Sequence, residues 1–270
     1  MTERDPQMSA VPKLRRSWFI QRRVIWALVL REILTRYGRH NIGFLWLFVE
    51  PMLFTLGVTA LWTAMQSVHG SSIPIVAFAL TGYSSVLLWR NMPGRCIGAL
   101  EPNLSLLYHR NVRPLDIYVS RLMLEAAGAT VSFVFLTMFF GFIGWLEMPE
   151  DVLQVATAWV MLAWFGSGLA LLLGALSESS EIIDKLWHPM SYLLFPLSGA
   201  AFLVDALPKA AQDVVLWLPM VHAVEFLREG YFGSQMTAHY DLGYMAIANL
   251  TLTILGLAHL GKISREVIPQ

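Results

Sequence analysis

Among the residues able to do chemistry, seven histidines (His40, His69, His109, His188, His222, His239 and His259) are scattered along the chain. Only His222, with Glu225 and Glu229 one and two turns on, has the spacing that gathers metal ligands on one helix face. A metal site needs more ligands and an ordered outer shell, so a polar rim is the simpler reading of that trio. Residues 256–262, GLAHLGK, reproduce the Gly-x4-Gly-Lys part of a phosphate loop, but Ile263 stands where a hydroxyl would hold magnesium. The run also closes an apolar segment instead of joining a strand to a helix. Neither a Gly-x-Ser-x-Gly elbow nor a His-Glu-x-x-His pair occurs, which removes the best support for a hydrolase or metalloprotease. Glu50 lies about 10 Å into an apolar run, where an ionisable group is expected to face protein or a water-filled space. Pro51 after it predicts a kink. Arg121 and Glu125, spaced i, i+4, are expected to pair; with Glu50 they are also the acid and base an enzyme on lipid-linked sugars would need.

The elements that must position these groups follow from composition. Of 270 residues, 56% are hydrophobic and 14% charged, with mean hydropathy +0.55 and 10 Trp, 15 Phe and 8 Tyr. A water-soluble domain carries about 25% charged residues, so this chain is read as an all-α polytopic membrane protein. Strand alternation is missing, against a barrel. Net charge is zero, which recommends no nucleic-acid partner, and a single cysteine, Cys96, excludes an intramolecular disulfide framework. Six runs near the length of a span are predicted at 43–65, 73–92, 117–145, 152–176, 183–204 and 243–261. All but two of the 19 Lys and Arg, Lys209 and Arg228, fall on one side of that topology. The positive-inside rule then puts both termini in the cytoplasm, and the first span is expected to act as its own insertion signal. The chain divides into an interfacial segment 1–42, a six-helix domain 43–262 and a tail 263–270.

Three segments do not span. Residues 18–40 set Ile25, Leu28, Val29, Glu32, Ile33 and Arg36 at helical spacing, with most bases on the other arc, which predicts an amphipathic interfacial helix. It reads either as a plain anchor or as a gate beside the first span. The loop 93–116 is too polar to span and too apolar to be free. A short helix near Pro102, followed by a turn over Arg110 to Pro114, would dock on a soluble partner or lie on the membrane. The segment 205–242 carries two apolar stretches of about a dozen residues, which fit paired re-entrant half-helices on the outer side, begun by Pro208 and Pro219 and ended by Gly230 and Gly233. Such broken backbone belongs against protein or a cavity. Aromatics such as Trp46, Tyr83, Trp89 and Trp217 fall mostly where interfacial belts form, and any that face a passage would stack on sugar rings.

Three stretches, residues 30–51 (LREILTRYGRHNIGFLWLFVEP), 97–125 (IGALEPNLSLLYHRNVRPLDIYVSRLMLE) and 216–229 (LWLPMVHAVEFLRE), resemble the membrane subunit of ABC-2 type exporters. In particular they resemble KpsM-type permeases for group 2 capsular polysaccharide, in order and over essentially the whole chain. The resemblance implies a homodimeric six-span permease with two copies of a KpsT-type ATP-binding subunit, so that ATP and magnesium sit on the partner and no cofactor on this chain. The implied cargo is an acidic polysaccharide with a phospholipid terminus, passed to a KpsE-type co-polymerase adaptor and a KpsD-type outer-membrane protein from a Gram-negative inner membrane. Carried over by position, Glu101, Pro102, Asn103, Leu104, Leu107, Tyr108 and His109 would form the coupling helix. Pro102 departs from the family pattern there. Arg31, Arg36, Arg39, Trp46, Glu50, Arg90 and Arg95 would form the cytoplasmic gate and mouth. Pro208, Trp217, Pro219, His222, Glu225 and Arg228 would form the periplasmic gate. Basic groups at the mouth with few at mid-membrane would admit an anionic polymer without stalling it. An ABC-2 permease for O-antigen, teichoic acid or a drug is the alternative, ahead of the enzyme.

Overall fold

The computed structural model describes residues 10–37, 45–64, 73–107 and 112–267. Among these every regular element is helical: α1 (Ala10–Tyr37), α2 (Trp46–Ala64), α3 (Ile75–Cys96), a 3₁₀ turn Glu101–Asn103 leading into α4 (Leu104–Leu107), α5 (Pro114–Phe142), α6 (Val152–Ser177), α7 (Glu181–Leu197), α8 (Lys209–Val215), α9 (Pro219–Phe232) and α10 (Leu242–Val267). Four helical stretches are long and apolar enough to cross a membrane: Trp46–Thr63, Pro114–Phe142, Val152–Ser177 and Leu242–Arg265.

Local chemistry sets the helix starts. Pro114 opens α5, its missing N–H costing nothing in the first turn, and Asp116 Oδ2 accepts the Arg113 N–H at 2.8 Å. Asp151 caps α6 by accepting the Gln154 N–H at 2.9 Å. The predicted 117–145 run is helical only to Phe142, beyond which Gly144 turns the chain at φ +75°. The predicted 183–204 run stops at Leu197: Pro196 cannot continue a regular ladder and Gly199 adopts φ +82°. The GLAHLGK run lies wholly inside α10.

At the centre, α6 packs against α3 on one side and α9 and α10 on others. Small residues permit this. A Cβ on Gly166 would lie 2.8 Å from Trp89 Cα, and one on Gly256 would lie 2.8 Å from the Leu172 nitrogen. The buried Trp89, Met92, Leu162, Phe165 and Met245 belong to the core that these contacts enclose. Gly166→Val is therefore expected to force α3 and α6 apart at a cost of about 1–3 kcal/mol, read as a lowered melting midpoint in detergent; an unchanged midpoint would mean that the two helices do not pack this closely.

Candidate transport cleft and its supporting elements

The face formed by α2, α3, α5 and α7 opens into a cleft of about 360 Å³, lined by Glu50 and Phe54, by Tyr83, Arg90, Asn91 and Arg95, by Glu125, and by Tyr192. It continues into a second hollow of about 250 Å³ that shares Glu50, Arg90, Asn91, Arg95 and Tyr192 and adds Trp187, His188 and Ser191. Three residues anticipated at the mouth, Glu50, Arg90 and Arg95, thus meet in one space. The Arg90 guanidinium stands 4.5 Å from the Tyr192 ring, and Tyr83 meets Phe195 edge-on at 5.9 Å. Glu50 has neither a salt bridge nor a hydrogen bond among the described residues, so its carboxylate is left to the cleft. Pro51 lies inside α2, where Thr55 Oγ1 donates to its carbonyl at 3.0 Å.

Behind the cleft wall lies an ion-pair cluster. Glu125 Oε1 accepts from Arg36 Nη1 at 2.5 Å and from Arg95 Nε at 3.0 Å. Glu32 Oε1 meets Arg36 Nε at 3.1 Å and Arg121 Nε at 3.3 Å. The expected Arg121–Glu125 pair is therefore not the one that forms. The docking of α1 across α5 inserts Glu32 and Arg36 between them, and Arg121 turns its other arm to the Arg95 carbonyl at 2.7 Å. With Arg121 so committed and absent from the cleft lining, the triad required by the enzyme reading does not assemble.

The face foreseen on α1 is the docked one: Ile25, Val29 and Ile33 pack with Leu47, Phe48 and Leu124, and Leu28 joins the main core. The outer face mixes exposed Arg22, Arg23 and Arg31 with Trp18, Trp26, Leu30 and Leu34, a blend suited to a membrane surface where basic heads reach water above buried stems. Arg31 Nη1 donates to Asn103 Oδ1, and Gln21 to Asp116 Oδ1. Trp46 is 53% exposed and stands outside the cleft. Arg39, Tyr108 and His109 lie outside the described residues.

Within the anticipated coupling segment, Glu101, Pro102 and Leu104 are exposed while Asn103 and Leu107 are buried. The exposed three can meet a partner; the buried two orient them. Asn103 Nδ2 donates to the Ala99 carbonyl at 2.8 Å and Leu107 enters the core. Glu178, after α6, accepts the Leu100 N–H at 3.2 Å; burial raises its carboxyl above the ordinary range, against that bond's lowering effect.

Helices α8 and α9 meet in a bend of 108°. Pro208 precedes α8, Pro219 begins α9, and Gly233 ends it at φ +53°. Gly230 is instead interior to α9, where a Cβ would lie 2.8 Å from Gln154. Trp217, between the two helices, is 78% exposed. Nothing here gathers a metal-ligand set: His222 Nδ1 accepts the Asp241 N–H at 2.8 Å and its Nε2 lies 2.8 Å from the Leu216 carbonyl. Glu225 accepts the Val204 and His239 N–H groups at 3.3 and 3.2 Å. Glu229 accepts from Gln154 at 2.6 Å and Tyr240 at 2.7 Å, the latter bond holding the phenol up to about 12. Arg228 is wholly buried. It donates to the carbonyls of Gly199 at 2.6 Å, Ala200 at 2.7 Å and Phe202 at 2.7 Å, with its guanidinium 4.0 Å from the Phe78 ring. It ties α9 to α3 and to the turn that ends α7.

Sequence reasoning missed Asn91, Glu125 and Tyr192 as cleft residues and Glu32 as a cluster member. Asn91 beside Arg90 at the end of an apolar run was a usable signal; the meeting of Tyr192 with Arg90 depends on how α7 packs and left none.

Among the described residues, helices alone, four of them fit to cross a membrane, with a polar cleft and a bent helix pair, define a polytopic membrane protein of the transporter kind. Residues 23–232 match the ABC-2 type transporter family, and the chain belongs to it. It is 45% identical over 251 residues to the capsule polysaccharide export inner-membrane protein CtrC of Neisseria meningitidis serogroup B, covering 93% of this chain and 95% of that one. It is 42% identical over 256 residues to the BexB protein of the same description from Haemophilus influenzae, covering 95% and 97%. With the polysialic acid transport protein KpsM of Escherichia coli it shares 28% identity over 249 residues, covering 91% and 95%.

Proposed function

We propose that this chain is the permease of an ABC exporter that carries acidic capsular polysaccharide across a bacterial inner membrane. The observation that carries the reading is the cleft in which Arg90 and Arg95 stand beside Tyr83 and Tyr192, in a chain that matches capsule-export relatives over nearly its whole length. Two half-exposed guanidiniums attract an acidic polymer, and aromatic faces let sugar rings slide without a deep well. Here α2, α3, α5, α6, α7 and α10 are the six spans, both termini are cytoplasmic, and α1 lies in the inner interface. A second copy set against the open cleft would complete a canal, and in this reading the working unit is a homodimer with two ATP-binding subunits. ATP and magnesium belong to those subunits, and the exposed Glu101, Pro102 and Leu104 dock on them. The bent pair α8 and α9 forms the periplasmic gate, beyond which an adaptor and an outer-membrane protein receive the polymer.

The test is co-purification of this chain with the ATP-binding subunit of its export system, wild type against Glu101→Arg plus Leu104→Asp. The expected result is a stable complex with ATPase activity for wild type and loss of both in the variant. A wild-type chain that forms no complex would refute the reading, and a variant that keeps the complex would move the docking surface elsewhere.

A further inference from the structure

One carboxylate oxygen joins the cleft to the interfacial helix. Glu125 Oε1 is shared by Arg36 of α1 and Arg95 of the cleft wall. Around it the guanidiniums of Arg36, Arg95 and Arg121 meet the carboxylates of Glu32 and Glu125. The members differ in access. The Glu125 side chain is 9% exposed and that of Arg95 is 40%. Arg95 is thus held by a fixed anion on one side while open to the cleft on the other. That is the arrangement of a replaceable ligand.

We infer that Glu125 is a built-in stand-in for the acidic group of the cargo: it holds Arg95 while the cleft is empty and yields it to a sugar carboxylate of the polysaccharide. The inference rests on the export reading above and assigns a position to the recognition step within it. Competition by a resident carboxylate lowers the net affinity for cargo, which suits a chain that must enter and leave. The exchange also has a consequence at a distance. Once Arg95 turns to the cargo, Glu125 Oε1 is no longer shared and its charge falls on Arg36, so α1 is held more firmly when the cleft is loaded. Because Arg31 of the same helix bonds Asn103 in the docking segment, occupancy of the cleft is passed toward the ATP-binding subunit.

The experiment uses the complex of this chain with its ATP-binding subunit in phosphatidylcholine nanodiscs and measures binding of fluorescent polysialic acid oligomers. Glu125→Gln is expected to tighten binding about five-fold, the equivalent of one partly exposed ion pair. Arg95→Gln is expected to weaken it by a similar factor, and adding Glu125→Gln to Arg95→Gln is expected to change nothing further. That last result separates competition from a structural role, which Arg95→Gln would not cancel. If Glu125→Gln does not assemble, Glu125→Asp, which retracts the charge by one methylene, is expected to shift binding in the same direction. Glu125 variants that leave affinity unchanged or weaken it, while Arg95→Gln still weakens it, would overturn the inference and leave the export reading intact. No oligomer binding by wild type would overturn both. A bilayer headgroup presents the same anionic oxygens, so a parallel arm uses nanodiscs containing phosphatidylglycerol and counts lipid retained on the purified complex. More retained phosphatidylglycerol in Glu125→Gln with unaltered oligomer affinity would give the site to lipid and overturn its assignment to the glycan.

Discussion

Arg228→Ala is expected to cost roughly 3–5 kcal/mol and to abolish export, the largest single-residue effect anticipated in this chain. Three carbonyls, those of the buried Gly199 and Ala200 and the half-buried Phe202, take donors from this one side chain. Each carbonyl left without a donor costs about 1–3 kcal/mol, and the cavity left behind adds to that. The carbonyls lie at the exit of α7, where the negative end of the helix dipole favours a cation. Lysine would recover only part, because a single ammonium lacks the planar fork that spans three acceptors. Gly82 faces the same arm: a Cβ there would lie 2.7 Å from Arg228 Nη2 and 2.4 Å from the Ala200 oxygen, so Gly82→Ala is expected to displace the guanidinium. Thermal unfolding in detergent is the measurement, with a fall of about 6–20 °C for Arg228→Ala, since 1 kcal/mol moves a chain near this size by roughly 2–4 °C. A midpoint within two or so degrees of wild type would show that water or a neighbour satisfies those carbonyls and that α9 is not stapled here.

The second large effect is expected from Arg36→Glu. This side chain bridges Glu32 and Glu125, so reversal would crowd three carboxylates into a space shielded from water. Breaking a buried pair in this way costs about 3–5 kcal/mol, more than the small apolar patch of Ile25, Val29 and Ile33 against Leu47, Phe48 and Leu124 is expected to offset. The helix is expected to leave α5, read as faster amide exchange across residues 21–36 and new protease cleavage there. Arg23→Glu serves as control, because Arg23 is exposed on the outer face and exposed substitutions stay within about 0.5 kcal/mol. Equal protection in both variants would mean that α1 is held by apolar contacts and that the ion cluster contributes little.

Much of the architecture was legible in the chain because local rules write it. Runs of apolar residues near span length became α2, α5, α6 and α10, with Gly144 ending the 117–145 run at Phe142, while Pro196 and Gly199 cut the 183–204 run back to Leu197 in α7. Pro208 and Pro219 marked the bent pair. The docked face of α1 followed from spacing alone. The candidate site was legible only in part. Glu50, Arg90 and Arg95 were singled out from charge and depth, and they do share a cleft. Asn103, Leu107, His222, Glu225 and Arg228 were named as contact or gate residues by position, and that all five are buried is something only the packed structure adds.

Composition and hydropathy alone determined that this chain needs apolar solvent and where most of its long helices run, because hydropathy acts locally along the chain. Which charges meet was decided by tertiary structure. Arg121 and Glu125 are neighbours on one helix, but their ion pairs went to Glu32, Arg36 and Arg95, residues 30 or 89 positions away, because burying α1 against α5 brings opposite charges to distances no local rule specifies. Tyr192 joined the cleft for the same reason, placed by how α7 packs and not by anything in its own segment.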